Sequence, residues 1–295
     1  MDGTVTVTAT PAAISTPTPQ PGLLSQVESP PALLPATADS LFQSCQIVAF
    51  YGYPGNRFLG VLGEFAQPDE LAARLRAVEK EYDEANGPRH AVGALHLIAA
   101  VAQADAGPDG TYVSRMPKDL IEQYIALAEQ HDFLVFLDLQ IGWSTVAAEV
   151  DAVKPYLENP RVHLALDPEW TMPPGVPPGA EIGRMYASDI NHAQEVLKDV
   201  VDEHHLPKKI LIVHQFTESM IVDKPTLIRT DGVDLVIDMD GFGGRQIKLD
   251  HYHRFVGEDG APHGGLKLFI DEDTDIFRPA EVQEIVPQPD YIQYQ

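Results

Sequence analysis

From residue 46 onward, short β-rich apolar runs alternate with longer amphipathic ones, and this alternation limits the fold more than any other feature of the chain. The apolar runs fall at 46–53, 91–99, 133–139, 162–167, 209–214, 233–238 and 266–271. Helical spacing of apolar residues is read over 68–85, 117–130, 146–157, 187–204, 217–228 and 249–256, and Pro68 and Pro117 suit a first helical turn, where a missing amide proton costs nothing. Strands that alternate with helices form βα units around a parallel sheet. The pattern predicts a (β/α)8 TIM-type barrel with one strand still to be placed, or a seven-stranded variant. An open dinucleotide fold lacks its main support, because no G-x-G-x-x-G follows the first run.

Several of these runs end in carboxylates. Leu164-Ala165-Leu166-Asp167-Pro168-Glu169 is the clearest, and Phe136 to Gln140, Val236 to Asp240 and Phe269 to Asp273 repeat it. Residues i and i+2 of a strand share a face, so Asp167 and Glu169 can aim into one place, as can Asp238 and Asp240 or Asp138 and Gln140. In parallel barrels the catalytic groups project from the C-terminal strand ends. Two carboxylates whose environments separate their pKa values can divide acid and base work between them.

Glu169 is therefore the expected general acid, Asp167 its tuning partner, and Asp238 or Asp240 the second carboxylate. Tyr51, Tyr53, Asp138, Gln140, Trp143, Trp170, His214 and Gln215 are the expected substrate-binding residues. Tyr51 and Tyr53 are spaced to share a face, and one of His214 and Gln215 must point inward. Both tryptophans follow acid-bearing strands, and aromatic faces beside carboxylates suit a sugar ring; a tryptophan also serves as a plain hydrophobic plug. The plainer alternatives stay open: Asp167 accepting backbone hydrogen bonds, Glu169 solvated, and Asp240-Gly241 a simple turn. His96 is a weaker candidate.

The D-x-E ending resembles the last positions of the chitinase-like motif D-G-x-D-x-D-x-E, whose final Glu protonates the glycosidic oxygen. The match covers Asp167 and Glu169, while Val162, His163 and Ala165 replace the earlier Asp, Gly and Asp, which separates this chain from that family. More broadly, F-Y-G-Y-P-G-N at 50–56, L-A-L-D-P-E-W at 164–170, V-H-Q-F-T at 213–217 and D-G-F-G at 240–243 look like a family of bacterial secreted proteins and lipoproteins. That resemblance implies export and a TIM-type, glycoside-hydrolase-like barrel, and it assigns no reaction.

Composition narrows the partners. Lys plus Arg total 20 against 44 Asp plus Glu, and a net charge of -24 argues against nucleic acid or an anionic membrane as the partner. A carbohydrate or cell-envelope glycan fits better. No apolar run is long enough to span a membrane. The single cysteine, Cys45, permits neither a disulfide nor a cysteine zinc site. Residues 1–40 are rich in Thr, Pro and Ala and predict a disordered tether before one barrel domain over 41–295. Such a tether leads us to expect an extracytoplasmic domain, secreted or surface-tethered, with a signal segment or lipid anchor upstream of Met1; a plain disordered tail on a cytoplasmic protein is the alternative.

The functional expectation is an extracytoplasmic, glycosidase-like hydrolase that needs no cofactor. Two rivals stand beside it. One is a metal-dependent hydrolase using Asp138, Asp167, Asp238 and His214 on a divalent ion; the other is a barrel that binds a glycan without cleaving it. His251 and His253 fall in a helical stretch, where i and i+2 diverge. An EF-hand at Asp271 is excluded by Ile276 and Val282, and no G-x-S-x-G or P-loop exists.

Overall fold

A computed structural model describes residues 40–85 and 89–295. The expected tether, Ser40 apart, lies outside the described residues. Ser40 itself caps a 3-10 turn at Leu41–Gln43, its hydroxyl accepting from the Phe42 amide at 3.1 Å.

Eight parallel strands close into a barrel: β1 (Cys45–Gly52), β2 (His90–Ala102), β3 (Leu134–Gly142), β4 (Val162–Thr171), β5 (Lys209–Gln215), β6 (Val233–Met239), β7 (His263–Leu268) and β8 (Tyr291–Tyr294). Closure comes from β1, which pairs with β2 (Tyr51 opposite His96) on one side and with β8 (Phe50 opposite Tyr294) on the other. A short antiparallel strand, Val113–Arg115, adds to the end of β2. The helices are α1 (Pro68–Ala85), α2 (Lys118–His131), α3 (Val146–Leu157), α4 (Ala187–His204), α5 (Arg245–Tyr252) and the short α6 (Pro279–Val282).

Alternation along each strand sorts the residues into two shells. Val48, Phe50, Leu95, Leu97, Val135, Leu137, Leu164 and Leu166 face outward and pack with Leu71, Leu75, Ile121, Val150 and Leu197 of the helices in one apolar cluster. That outer shell is the core that holds the barrel, and it is what the apolar runs of the sequence report. The inward residues are polar to an unusual degree: His96, Asp138, His163, Asp167, His214, Asp238, Lys267 and Gln293 are all buried. Groups of this kind are costly unless paired, so the inner shell is where function is to be sought.

Two elements differ from the sequence-based expectation. The eighth strand is Tyr291–Tyr294, too short for its alternation to register. The helix expected at 217–228 is replaced by 3-10 turns at Glu218–Met220 and Lys224–Thr226 around a short strand, Ile221–Val222, paired with Met185–Tyr186. Asp223 adopts a left-handed φ of 58° and Pro225 follows it, so a continuous helix cannot pass. The expected helix at 249–256 is real but shifted: α5 starts earlier and continues as a π-turn, His253–Glu258.

Gly265 on β7 makes room for the inner shell. An added Cβ would lie 2.5 Å from Asp238 Oδ1 and 2.9 Å from the Asp238 Cα. Gly265→Ala is expected to cost about 1–3 kcal/mol through overpacking, read as a lower urea midpoint at unchanged slope.

Candidate functional site

The strand ends deliver six carboxylate-bearing or amide-bearing expectations to one region, in two tiers. The upper tier lines a cavity of about 460 Å3 at the C-terminal mouth of the barrel, with Tyr51, Gln140, Asp167, Glu169, Asp240 and Lys267 as its polar wall. Phe58, Trp170, Phe216, Phe242 and Phe269 are its aromatic lining, and Phe58 and Phe242 are 86% and 67% exposed. The lower tier is fully buried beneath: His96, Asp138, His214 and Asp238.

Register explains the meeting. Gln140 stands opposite Asp167 in the β3–β4 pair, and His214 opposite Asp238 in the β5–β6 pair. Lys267 reaches in from β7, where its ammonium donates to Asp240 Oδ2 at 3.1 Å and lies 4.0 Å from the Tyr51 ring centre. Gln140 Oε1 accepts from the Ala102 amide at 2.9 Å, which fixes the Gln140 side chain, and its amide nitrogen lies 3.5 Å from the Tyr51 hydroxyl. The backbone after Asp167 is held as well. The Glu169 amide donates to Asp167 Oδ1 at 3.2 Å, and the Gly183 amide donates to the Glu169 carbonyl at 2.6 Å. Gly183 is needed there, because a Cβ would lie 2.5 Å from the Glu169 carbonyl oxygen.

The electrostatics of the two tiers separate the acids. Burial, reinforced by the Asp240 charge, pushes the Glu169 carboxyl up to about 7, against partial relief from Lys267 and His214. Asp167 is pushed well above the usual range by burial, with Asp138, Glu169 and Asp240 adding to it and His214 opposing. Asp240 behaves oppositely: burial pushes it up, but the Lys267 ammonium and His214 outweigh that and hold it below the usual range. His214 is the counterpart, disfavoured as a cation by burial yet held well above the usual histidine value by Asp238, Asp240 and Asp138. Its Nδ1 lies 3.2 Å from Asp238 Oδ2 and 3.3 Å from Asp240 Oδ2.

The fate of each expected residue follows from these positions. Tyr51, Gln140, Asp167, Glu169, Trp170 and Asp240 line the cavity. Asp138, His214 and Asp238 lie below its floor at 0% exposure and cannot touch a ligand in it; their expected contact with substrate, and for Asp238 the second-carboxylate role, is corrected on that ground. Three residues leave the site altogether. Tyr53 loses the expected register with Tyr51 because β1 ends at Gly52, whose φ of 148° breaks the alternation, and Tyr53 packs against the outer core and behind Tyr51 and Ile98 without lining the cavity. Trp143 donates its indole N–H to the Val176 carbonyl at 2.7 Å and packs on Tyr112, so it staples a loop. Gln215 points outward because His214 points in, and it accepts from Lys224 Nζ at 2.6 Å. Of the four expected metal ligands, Asp138 and His214 come together with His96; Asp167 belongs to the upper tier.

Sequence reasoning missed Lys267, Tyr291 and the exposed rim aromatics Phe58 and Phe242, and it undervalued His96. His251 lies on α5 and lines the cavity.

No family model and no curated protein matches the chain. Among solved structures, the chain is similar to a ruminal GH26 endo-beta-1,4-mannanase at 12% identity and a TM-score of 0.38, over 85% of this chain and 59% of that one. The chain thus aligns with less than two thirds of that enzyme's length. Among the described residues no helix is long and apolar enough to cross a membrane.

Proposed function

We propose that the barrel hydrolyses a glycan, with Glu169 as general acid and Asp240 as the second carboxylate. The observation that carries this reading is the divergence of two acids facing one cavity. Glu169 keeps its proton up to about 7, while Lys267 keeps Asp240 ionised. A pair of that kind fits glycosidic cleavage, in which one carboxyl protonates the departing oxygen and another stabilises positive charge developing on the sugar ring. Phe58, Phe242 and Trp170 offer ring faces at the mouth, suited to the apolar faces of sugars. Asp167 acts through Glu169, whose backbone amide it fixes, and is a positioning residue.

Incubation with a broad panel of plant, fungal and bacterial cell-wall glycans tests the proposal. Release of reducing ends by the wild type, abolished in Glu169→Gln, is the expected result. Binding without release by either protein would favour a non-catalytic glycan-binding barrel.

The acidity of Glu169 sets a pH dependence. A general acid must be protonated, so kcat/KM is expected to fall as pH rises through about 7, toward a tenfold loss per unit above it. A profile flat to pH 9 would contradict the assignment.

An extracytoplasmic location belongs to the same proposal, resting on the Thr/Pro/Ala-rich stretch and on a glycan as substrate. Fractionation of native cells tests it, and recovery with a cytoplasmic marker would contradict it.

A further inference from the structure

We propose that the barrel binds a divalent transition-metal ion beneath the cavity floor, ligated by His96 Nε2, Asp138 and His214 Nε2. The three residues come from adjacent or near strands, β2, β3 and β5, and each offers a ligand atom within 4.8 Å of the others. His96 Nε2 lies 3.7 Å and His214 Nε2 3.9 Å from Asp138 Oδ2. These gaps exceed a hydrogen bond, and a charge-assisted imidazole–carboxylate contact normally closes to about 2.7–2.9 Å. The groups face one another without making it. His96 Nε2, His214 Nε2 and both Asp138 oxygens have no hydrogen-bond partner among the described residues, and all three residues are 0% exposed. Buried polar atoms left in this way call for a ligand.

Two further observations point to a metal. The far nitrogen of each histidine stands beside a hydroxyl or carboxylate, the kind of group that orients a ligating ring in metal sites. His96 Nδ1 is 2.6 Å from the Tyr291 hydroxyl, and His214 Nδ1 faces Asp238 and Asp240 at 3.2 and 3.3 Å. Charge gives the second. Asp138, Asp238 and Asp240 crowd the inner shell with Lys267 as its one lysine; His214, which faces all three, ligates the ion as a neutral ring, and the dication then supplies the positive charge those carboxylates require. Zinc bonds of about 2.0–2.2 Å in a tetrahedral site place ligand atoms roughly 3.3–3.5 Å apart, so each histidine need approach Asp138 by only roughly half an ångström, and the two rings draw together from within 4.8 Å of one another. Two imidazoles and one carboxylate select zinc, iron or cobalt over magnesium or calcium. The ion joins three strands below the site and contacts nothing in the cavity, so this inference does not depend on the glycan reading.

Elemental analysis of the purified protein, grown with zinc, iron and manganese supplied, is expected to give roughly one metal ion per chain. Protein unfolded with chelator and refolded with cobalt should show visible bands of nitrogen–oxygen coordination and a thermal midpoint several degrees above the metal-free form. Asp138→Asn and His96→Gln should each lose those bands, while Glu169→Gln keeps them. X-ray absorption at bound zinc in the wild type reads histidine ligation directly, whether or not the variants fold. Less than a tenth of an equivalent with no shift of the midpoint on refolding with zinc or cobalt would overturn the proposal. So would an all-oxygen shell, or bands unchanged in both ligand variants. Failure of the glycan panel leaves these results as they stand.

Discussion

Glu169→Gln is expected to lower turnover of the cleaved glycan by about 10²–10⁴-fold, with binding little changed, and to make the protein more stable at pH 8. The loss follows from the missing proton, since an amide cannot protonate the leaving oxygen. The gain follows from the same burial that tunes the acid. Below its usual value of 4.5, Glu169 is protonated folded or unfolded; between 4.5 and about 7 only the folded state keeps the proton; above about 7 the folded state carries the full cost of a buried, Asp240-repelled charge. Stability therefore falls as pH rises across that window, and glutamine removes the fall. The variant should gain about 1–3 kcal/mol at pH 8 and nothing at pH 4, read as urea midpoints at the two pH values. Equal stability at pH 8 would mean that Glu169 is an ordinary solvated glutamate, and the acid role would go with it.

Lys267→Met should be the most damaging change to stability in the inner shell. Lys267 is 3% exposed, donates to Asp240 and lies against the Tyr51 ring, and its charge is held up, against the cost of burial, by Asp240, Asp167 and Asp238. Methionine fills much of the volume but leaves carboxylates buried without their lysine. Breaking a buried pair from one side costs about 3–5 kcal/mol, which for a chain of this size lowers the thermal midpoint by roughly 10 °C. Asp240 should also lose part of its hold on ionisation, so activity at neutral pH should fall in whatever molecules fold. A cost under about 1 kcal/mol would show that Asp240 is already neutral in the wild type, and the separation of the two acids would fail.

The barrel was readable because its outer shell is apolar: the first seven strands set Leu, Val, Ile or Phe against the helices, and that alternation survives in one sequence. The strand at Tyr291–Tyr294 was not, since two of its residues face the inner shell and the rest is too short to carry a period. Residues 217–228 looked helical by apolar spacing, and the left-handed Asp223 before Lys224-Pro225 overrode it. At the site, Asp167, Glu169 and Asp240 were legible from their place at strand ends. Depth was not. Asp138, Asp238 and His214 also stand near strand ends yet sit lower, because the stagger of the barrel decides which layer meets solvent. Lys267 was hidden inside an apolar run, although a lysine in a buried strand is itself a signal, being rarely buried without an acid partner. Trp143 and Tyr53 were misplaced because proximity to an acid-bearing strand does not say which way a loop turns.

The central claim is that Glu169 delivers a proton to a departing glycosidic oxygen. Aryl glycosides of the sugar selected by the glycan panel, graded in leaving-group pKa, test it most directly. For wild type and Glu169→Gln compared at pH 6, the defect of the variant should be small with a dinitrophenolate leaving group, which needs no proton, and should grow steadily as the leaving group becomes more basic. A defect of equal size across the series, or no defect at all, would contradict it.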